Sequence, residues 1–408
     1  MMTQIPDRKR AIELLTGLVS IPSLSRQEAD ASRWLVEQME ELGYSRAYVD
    51  EAGNAVGELG TKSAGRTVVL LGHIDTVPGN IEVRVVNQNG EDLLYGRGSV
   101  DAKGPLATFV AAVSRLGEKW AVDNDFRIVV VGAVEEEAAT SKGARYIGRR
   151  FDGETEPIPN ACIIGEPSSW RRVTLGYKGR LLLELSAVQP MAHTAGPDPG
   201  VATVATDLWN WIVTVSNQFN QEKSKAFDQL LPSLRRINTS TTDEMNDCVE
   251  MQVGIRLPVA FDETEFVKQI LGWAAERIDG PLPDLSSLSP PLPHTPIEYQ
   301  LDGQQTRIAM RFHGHEAAWR SDRRNGLVRS FLGAIRQLDS TVRPGFVEKT
   351  GTSDMNVVGP LWRCPVLAYG PGDSKLDHTP NEHVSLDEYW RAVQVLEQAL
   401  RNLAQTEI

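Results

Sequence analysis

The chain has 408 residues, 41% of them hydrophobic and 24% charged, and a formal net charge of −12. This length outgrows a single hydrophobic core, so two domains are expected, and the composition is that of a soluble globular protein. The negative charge argues against nucleic acid as the main partner, which would need a basic footprint, and no run of about eighteen apolar residues is present to span a membrane.

Residues 7–43 carry apolar side chains at helical spacing: Ile12, Leu14, Leu15 and Leu18, then Leu35, Met39 and Leu42. Pro22 interrupts them, which predicts two helices joined by a turn at Ile21-Pro22-Ser23. The opening stretch has basic residues but no apolar segment before a small-residue cleavage site, so no secretory signal is read there. Short apolar runs at 68–71, 128–131 and 161–164 have the length and flanks of buried strands, and 104–117 reads as a helix between two of them. Strands alternating with helices predict an α/β fold, a sheet with parallel strands and helices on its faces.

After Lys178 the texture changes. Residues 180–185 read as a strand, 201–217 as an amphipathic helix, 233–242 and 248–257 as strands, and 261–278 as a further helix. A Pro-rich loop at 281–293 precedes one or two more strands. The helical pattern resumes at 328–338, followed by a strand at 366–369 and a closing helix at 386–403. The predicted organisation is one catalytic domain in two pieces, 1–178 and 316–408, interrupted by an inserted α+β module, 179–315. Cys162, Cys248 and Cys364 are too scattered for a disulfide framework or a zinc knuckle, and a cytoplasmic location is expected.

Five segments end apolar runs or loops with metal-ligand chemistry. In His73-Ile74-Asp75, side chains two positions apart on a strand point to the same side, so one can ligate a metal while the other orients a ring nitrogen. A purely structural His–Asp pair would read the same way. The glycine-rich loop Gly96-Arg97-Gly98-Ser99-Val100-Asp101 delivers a carboxylate just ahead of a helix, where capping is the alternative. Glu135-Glu136-Glu137 follows a stretch of apolar and small residues. Three crowded carboxylates resist joint ionisation, divalent cations relieve the repulsion, and one of the three can serve as general base. Gly165-Glu166-Pro167 and Asp377-His378 complete the set. Together these segments put two imidazoles and at least three carboxylates on loops at strand ends, where open α/β sheets bind ligands. That mixture suits zinc or cobalt.

The order His-x-Asp, Gly-x-Gly-x-x-Asp-x-Lys-Gly, Glu-Glu, Gly-Glu-Pro and a late Asp-His resembles the M20 metallopeptidase family, which includes acetylornithine deacetylase, succinyl-diaminopimelate desuccinylase, aminoacylases and glutamate carboxypeptidases. The resemblance covers nearly the whole chain. It implies a zinc-peptidase-like catalytic domain with a central mixed, mostly parallel sheet, plus an inserted α+β lid and dimerisation domain. It also implies a metal-dependent amidohydrolase with two Zn2+ per subunit, or Co2+ in their place. His73 and Glu166 would hold one ion, Glu137 and His378 the other, with Asp101 bridging and Asp75 bracing His73. Glu136 would be the general base; the other register makes Glu135 the base and Glu136 the ligand. His193 would stabilise the oxyanion of the tetrahedral intermediate, within a homodimer. Arg256, with Gly351 and Thr352, would hold a substrate carboxylate.

Within the family, the runs at 134–145, 175–180, 349–356 and 368–380 look like the branch that releases lysine or ornithine from an amino-group carrier protein. Lys178 and Arg180 would lie where such a chain enters. The expected partner is then a lysine-loaded carrier protein. A small acylated amino acid, acetyl-lysine or acetylornithine, or a dipeptide, as for a dipeptidase of the same family, is the alternative substrate. A non-catalytic binding protein on the same scaffold is the reading from a different class.

Overall fold

The structure is a computed structural model and describes residues 6–193, 195–286 and 288–406. The chain forms two compact units, one of Met1–Gly176, Arg320–Glu348 and Ser353–Ile408, the other of Tyr177–Trp319 and Lys349–Thr352.

The first unit opens with α1 (Arg8–Ser20) and α2 (Ala29–Glu41). It continues through β1 (Arg46–Val49), β2 (Ala55–Leu59), β3 (Arg66–His73), β4 (Arg84–Gln88), β5 (Glu91–Tyr95) and α3 (Lys103–Asp123) to β6 (Phe126–Ala133), α4 (Lys142–Arg150), β7 (Ala161–Gly165) and β8 (Arg172–Tyr177). The second unit contributes β9 (Gly179–Pro190), α5 (Ala202–Asn220), β10 (Leu231–Thr241), β11 (Asn246–Leu257), α6 (Glu263–Arg277), β12 (Ile297–Asp302) and β13 (Arg307–Glu316). After β14 (Trp319–Arg320) come α7 (Gly326–Leu338), β15 (Gly345–Lys349), α8 (Met355–Trp362), β16 (Val366–Ala368), β17 (His383–Ser385) and α9 (Leu386–Ala404).

The large sheet runs β1-β2-β6-β3-β7-β16-β8-β14, with β15 also paired to β8. Its centre is parallel, β6 with β3, β3 with β7 and β7 with β16. Its flanks are antiparallel at β1–β2, β2–β6 and β16–β8. Every residue of β6 is buried, because helices cover both faces of a parallel centre, and its sequence is accordingly an almost unbroken apolar run. Helix α3 lies against this centre. A Cβ on Gly165 would sit 2.8 Å from Gly72 Cα and 3.1 Å from the Phe109 ring, so a side chain there would push the helix off the sheet. The helix predicted to end at Gly117 runs on to Asp123, but it kinks there, with φ 75° and ψ 157°, a conformation essentially reserved for glycine. A small sheet, β17-β5-β4, has strands too polar to stand out in the sequence.

The second unit is a five-stranded antiparallel sheet, order β10-β11-β9-β13-β12. In its central strand β9, Leu181, Leu183, Leu185 and Ala187 are buried while Arg180, Leu182, Glu184 and Ser186 face the other way. The buried row joins Val204, Leu208 and Ile212 of α5 and Phe266, Ile270 and Leu271 of α6 in a core of its own. The predicted order of strand, helix, two strands and helix is the one that forms. No helix among the described residues is long and apolar enough to cross a membrane.

Candidate metal centre and active site

The four parallel strands of the large sheet end at one edge, and the residues at and past those ends are His73, the Glu135–Glu137 turn, Glu166 and the loop carrying His378. Asp101 joins them from the loop between β5 and α3, and the Asp101–Ala102 peptide is cis. The two oxygens of Asp101 face different imidazoles. Oδ1 lies 3.3 Å from His73 Nε2 and Oδ2 lies 3.0 Å from His378 Nε2. Glu137 Oε1 is 2.9 Å from the same nitrogen of His378, and Glu166 Oε1 is 4.0 Å from His73 Nε2. Ligand atoms of His73, Asp101 and Glu137 all lie within 4.8 Å of one another.

His73 Nδ1 donates to the main-chain carbonyl of Asp75 at 3.0 Å, so Nε2 is the ring nitrogen that faces the carboxylates. Asp75 thus meets the same nitrogen through its backbone carbonyl and, at 3.5 Å, through its carboxylate Oδ1. The Asp75 carboxylate accepts from the amides of Glu136 (3.1 Å) and Glu137 (3.0 Å) and from Ser25 Oγ (2.7 Å), and so fixes the acidic turn. Glu135 has φ 59° and turns its carboxylate to Thr140 Oγ1 at 2.8 Å, with Arg26 and Lys142 within 4 Å. Glu137 faces His378, and Glu136, partly buried, has His73, Asp354, Glu137 and Glu166 as its charged neighbours.

The electrostatics follow from this crowding. Burial pushes the Glu136 carboxyl well above the ordinary range, and Asp354, Glu137 and Glu166 add repulsion. Burial opposes ionisation of Asp101 too, but hydrogen bonds to His378 and His73 outweigh it and hold its carboxyl far below the usual range. The same bonds, to Asp101 and Glu137, raise His378 to about 10. Two imidazole nitrogens and three carboxylates converging on one spot, one carboxylate with an oxygen toward each imidazole, form a donor set that fits a pair of divalent cations.

The expected substrate residues lie in the second unit. Arg180 on β9 and Arg256 on β11 are direct cross-strand partners. Arg256 Nη1 is 3.3 Å from Thr352 Oγ1, next to Gly351, and Arg180 Nε donates to Gly314 O at 3.0 Å. Lys178 departs from expectation. Its side chain is buried and its ammonium donates to the backbone carbonyls of Ala226 (3.1 Å), Phe227 (3.2 Å) and Gln229, so its donors hold that turn rather than a substrate. Burial lowers its pKa to about 8. His193 is exposed on the turn after β9, and its Nδ1 accepts from Ala195 N at 3.1 Å.

Ser25, Glu28, Arg97 and Glu382 went unread in the sequence as parts of the site. Glu28 Oε1 accepts from the amides of Arg26 and Glu135. Isolated polar residues in loops carry no pattern of their own; only the spacing of Glu382, four residues after His378, hinted at a shared loop.

The sequence matches peptidase family M20/M25/M40 over residues 69–402. The chain belongs to this family and is a metal-dependent hydrolase. It is 42% identical over 405 residues to the LysW-lysine hydrolase of Deinococcus radiodurans, with 98% of this chain and 99% of that protein aligned. Among solved structures, a tripeptidase from Staphylococcus aureus shares the fold at TM-score 0.72 and 16% identity, over 99% of this chain and 100% of that one. A dinuclear metal-binding M20 peptidase from Bacillus subtilis does so at TM-score 0.66 and 13% identity, over 98% and 99%.

Proposed function

We propose that the chain releases lysine from an amino-group carrier protein of the LysW kind, by hydrolysing the α-amide that joins lysine to the side chain of the carrier's terminal glutamate. The observation that carries this reading is the full-length 42% identity to the Deinococcus radiodurans hydrolase, spanning the whole ligand cluster. In this reading His73 and Glu166 would hold one divalent cation and Glu137 and His378 the other, with Asp101 shared between the two. Zinc is the proposed ion, with cobalt as a working substitute. When bound, the ion pair supplies Lewis acidity that acidifies water and polarises the scissile carbonyl.

Glu136 is the proposed base. It takes the proton of the attacking water at its carboxylate and returns it to the departing amine. Glu135, engaged with Thr140, Arg26 and Lys142, has no such role. His193, with Nδ1 accepting, presents Nε2–H as a donor for the oxyanion in the proposed homodimer. Arg256 and Thr352, with Gly351 and the neighbouring Arg180, take substrate carboxylate. Lys178 serves as an internal anchor instead. The three cysteines are unpaired among the described residues, which supports a cytoplasmic enzyme.

The test is hydrolysis, side by side, of the lysine-loaded carrier and of free acetyl-lysine or acetylornithine by the zinc-loaded protein. Far faster cleavage of the carrier conjugate is expected. Turnover of the free acylated amino acids alone would keep the metal chemistry and move the assignment to a small-molecule deacetylase.

A further inference from the structure

The motif Gly96-Arg97-Gly98 contains a charged residue that the metal chemistry leaves without a role. Arg97 is largely buried, and its Nη1 donates to Glu382 Oε2 at 2.7 Å. Glu382 is wholly buried. Its other oxygen, Oε1, accepts from the amides of Val100 (3.0 Å) and Asp101 (3.1 Å), the second being the amide of the residue that faces both imidazoles. Glu382 also receives Gly96 N on its own carbonyl at 3.4 Å, and it sits directly ahead of β17, which pairs with β5 next to the glycine-rich loop. Arg97 Nε in turn donates to Gly79 O at 3.0 Å, on the loop that follows His73 and Asp75.

One ion pair therefore touches three loops: the one after His73, the one bearing Asp101, and the one bearing His378. A buried ion pair is weak evidence of stability, since desolvation offsets most of the attraction. This pair directs its bonds at ligand-bearing backbone. We propose that Arg97 and Glu382 are a positioning pair that holds the three loops in register and thereby sets the affinity of the metal site. The proposal rests on the two-metal reading above. Neither residue touches the reacting atoms; they act through the backbone of Asp101 and its neighbours, as outer partners of metal ligands do.

The experiment uses full-length protein stripped of metal and titrated with Zn2+ against a chromophoric chelator, for the parent, Arg97→Met, Glu382→Gln and the double variant. Glu382→Gln keeps an acceptor at Oε1 and so preserves the fold. Arg127→Met is the control, since it breaks a buried ion pair of the same unit that touches none of these loops. Expected are two ions per parent chain, a weaker site about 10–100-fold weaker in both single variants, and a double variant no worse than either single one. Faster hydrogen exchange of the Val100 and Asp101 amides in metal-free Glu382→Gln is expected as well. The control should lose stability but not affinity. Parental zinc affinity in both single variants, or an equal loss in the control, overturns the proposal while leaving the two-metal reading in place. A parent that binds fewer than two ions overturns both.

Discussion

Glu136 brings a carboxyl into a space that already holds Asp354, Glu137 and Glu166, and burial makes a charge there costly. A group that takes a proton readily and gives it back is what general base catalysis needs. Glutamine at this position keeps the volume and loses the transferable proton. Glu136→Gln is expected to lower kcat by about 10²–10⁴-fold with the zinc content unchanged. Near-parental kcat at full zinc occupancy would place the proton transfer on another group. Glu135 flanks this residue yet turns to Thr140, while Glu137 reaches His378, and the amides of the turn are pinned by Asp75 and Glu28.

Away from the site, elements of the first unit are joined by a buried charge cluster. Arg127 on β6 reaches Glu58 on β2 at 2.6 Å and Glu156 at 2.6 Å, and Arg150 on α4 reaches the same two carboxylates at 2.8 and 3.0 Å. Burial alone would raise the carboxyl of Glu156, but hydrogen bonds from Arg127 and Arg150 hold it down at about 2. A carboxyl depressed in the folded state adds stability above its unfolded pKa, near 4.5, and that contribution fades as pH falls toward 2. Glu156→Gln should thus cost about 1.5–3 kcal/mol near neutrality, with the gap to the parent closing between about pH 4.5 and 2. Denaturant midpoints of both proteins across pH check this, and a gap that stays constant would assign the cost to packing. The same cluster marks where the sequence misleads. Strand β2, with Gly57 and Glu58 within its five residues, offers no apolar run, and the charge of Glu58 is neutralised by partners distant in the chain. Strands β3, β6 and β7 were legible because both their faces are buried, and the ligands because each follows such a run or a glycine-rich loop. The place of Lys178 at the substrate's entry rested on the resemblance alone; in the structure its ammonium donates to three carbonyls of the 226–229 turn. Arg97 and Glu382 act only in company, and neither the partner nor the depth of burial is written beside them.

The whole molecule has two separate cores, one for each unit. The proposed ligands all belong to the first. Ions bound only by the folded state stabilise it by mass action, by about 2.7 kcal/mol when their concentration is about one hundred times Kd. Calorimetry of the zinc-loaded protein should show two transitions, of which a chelator lowers only the one belonging to the first unit. A single transition that moves as a whole would mean that the cores unfold together.

The discontinuity of the first unit has a bearing on its birth. Strand β17 pairs with β5, and α9 packs against α3 and α7, so the early elements of that unit wait for partners encoded near the other end of the chain. On the ribosome the intervening five-stranded unit emerges in long consecutive stretches and can close first, reversing the usual order in which domains fold as they are made. His378, on the loop just before β17, is the last of the proposed ligands to leave the exit tunnel, so an incomplete nascent chain has no complete site in which to trap metal.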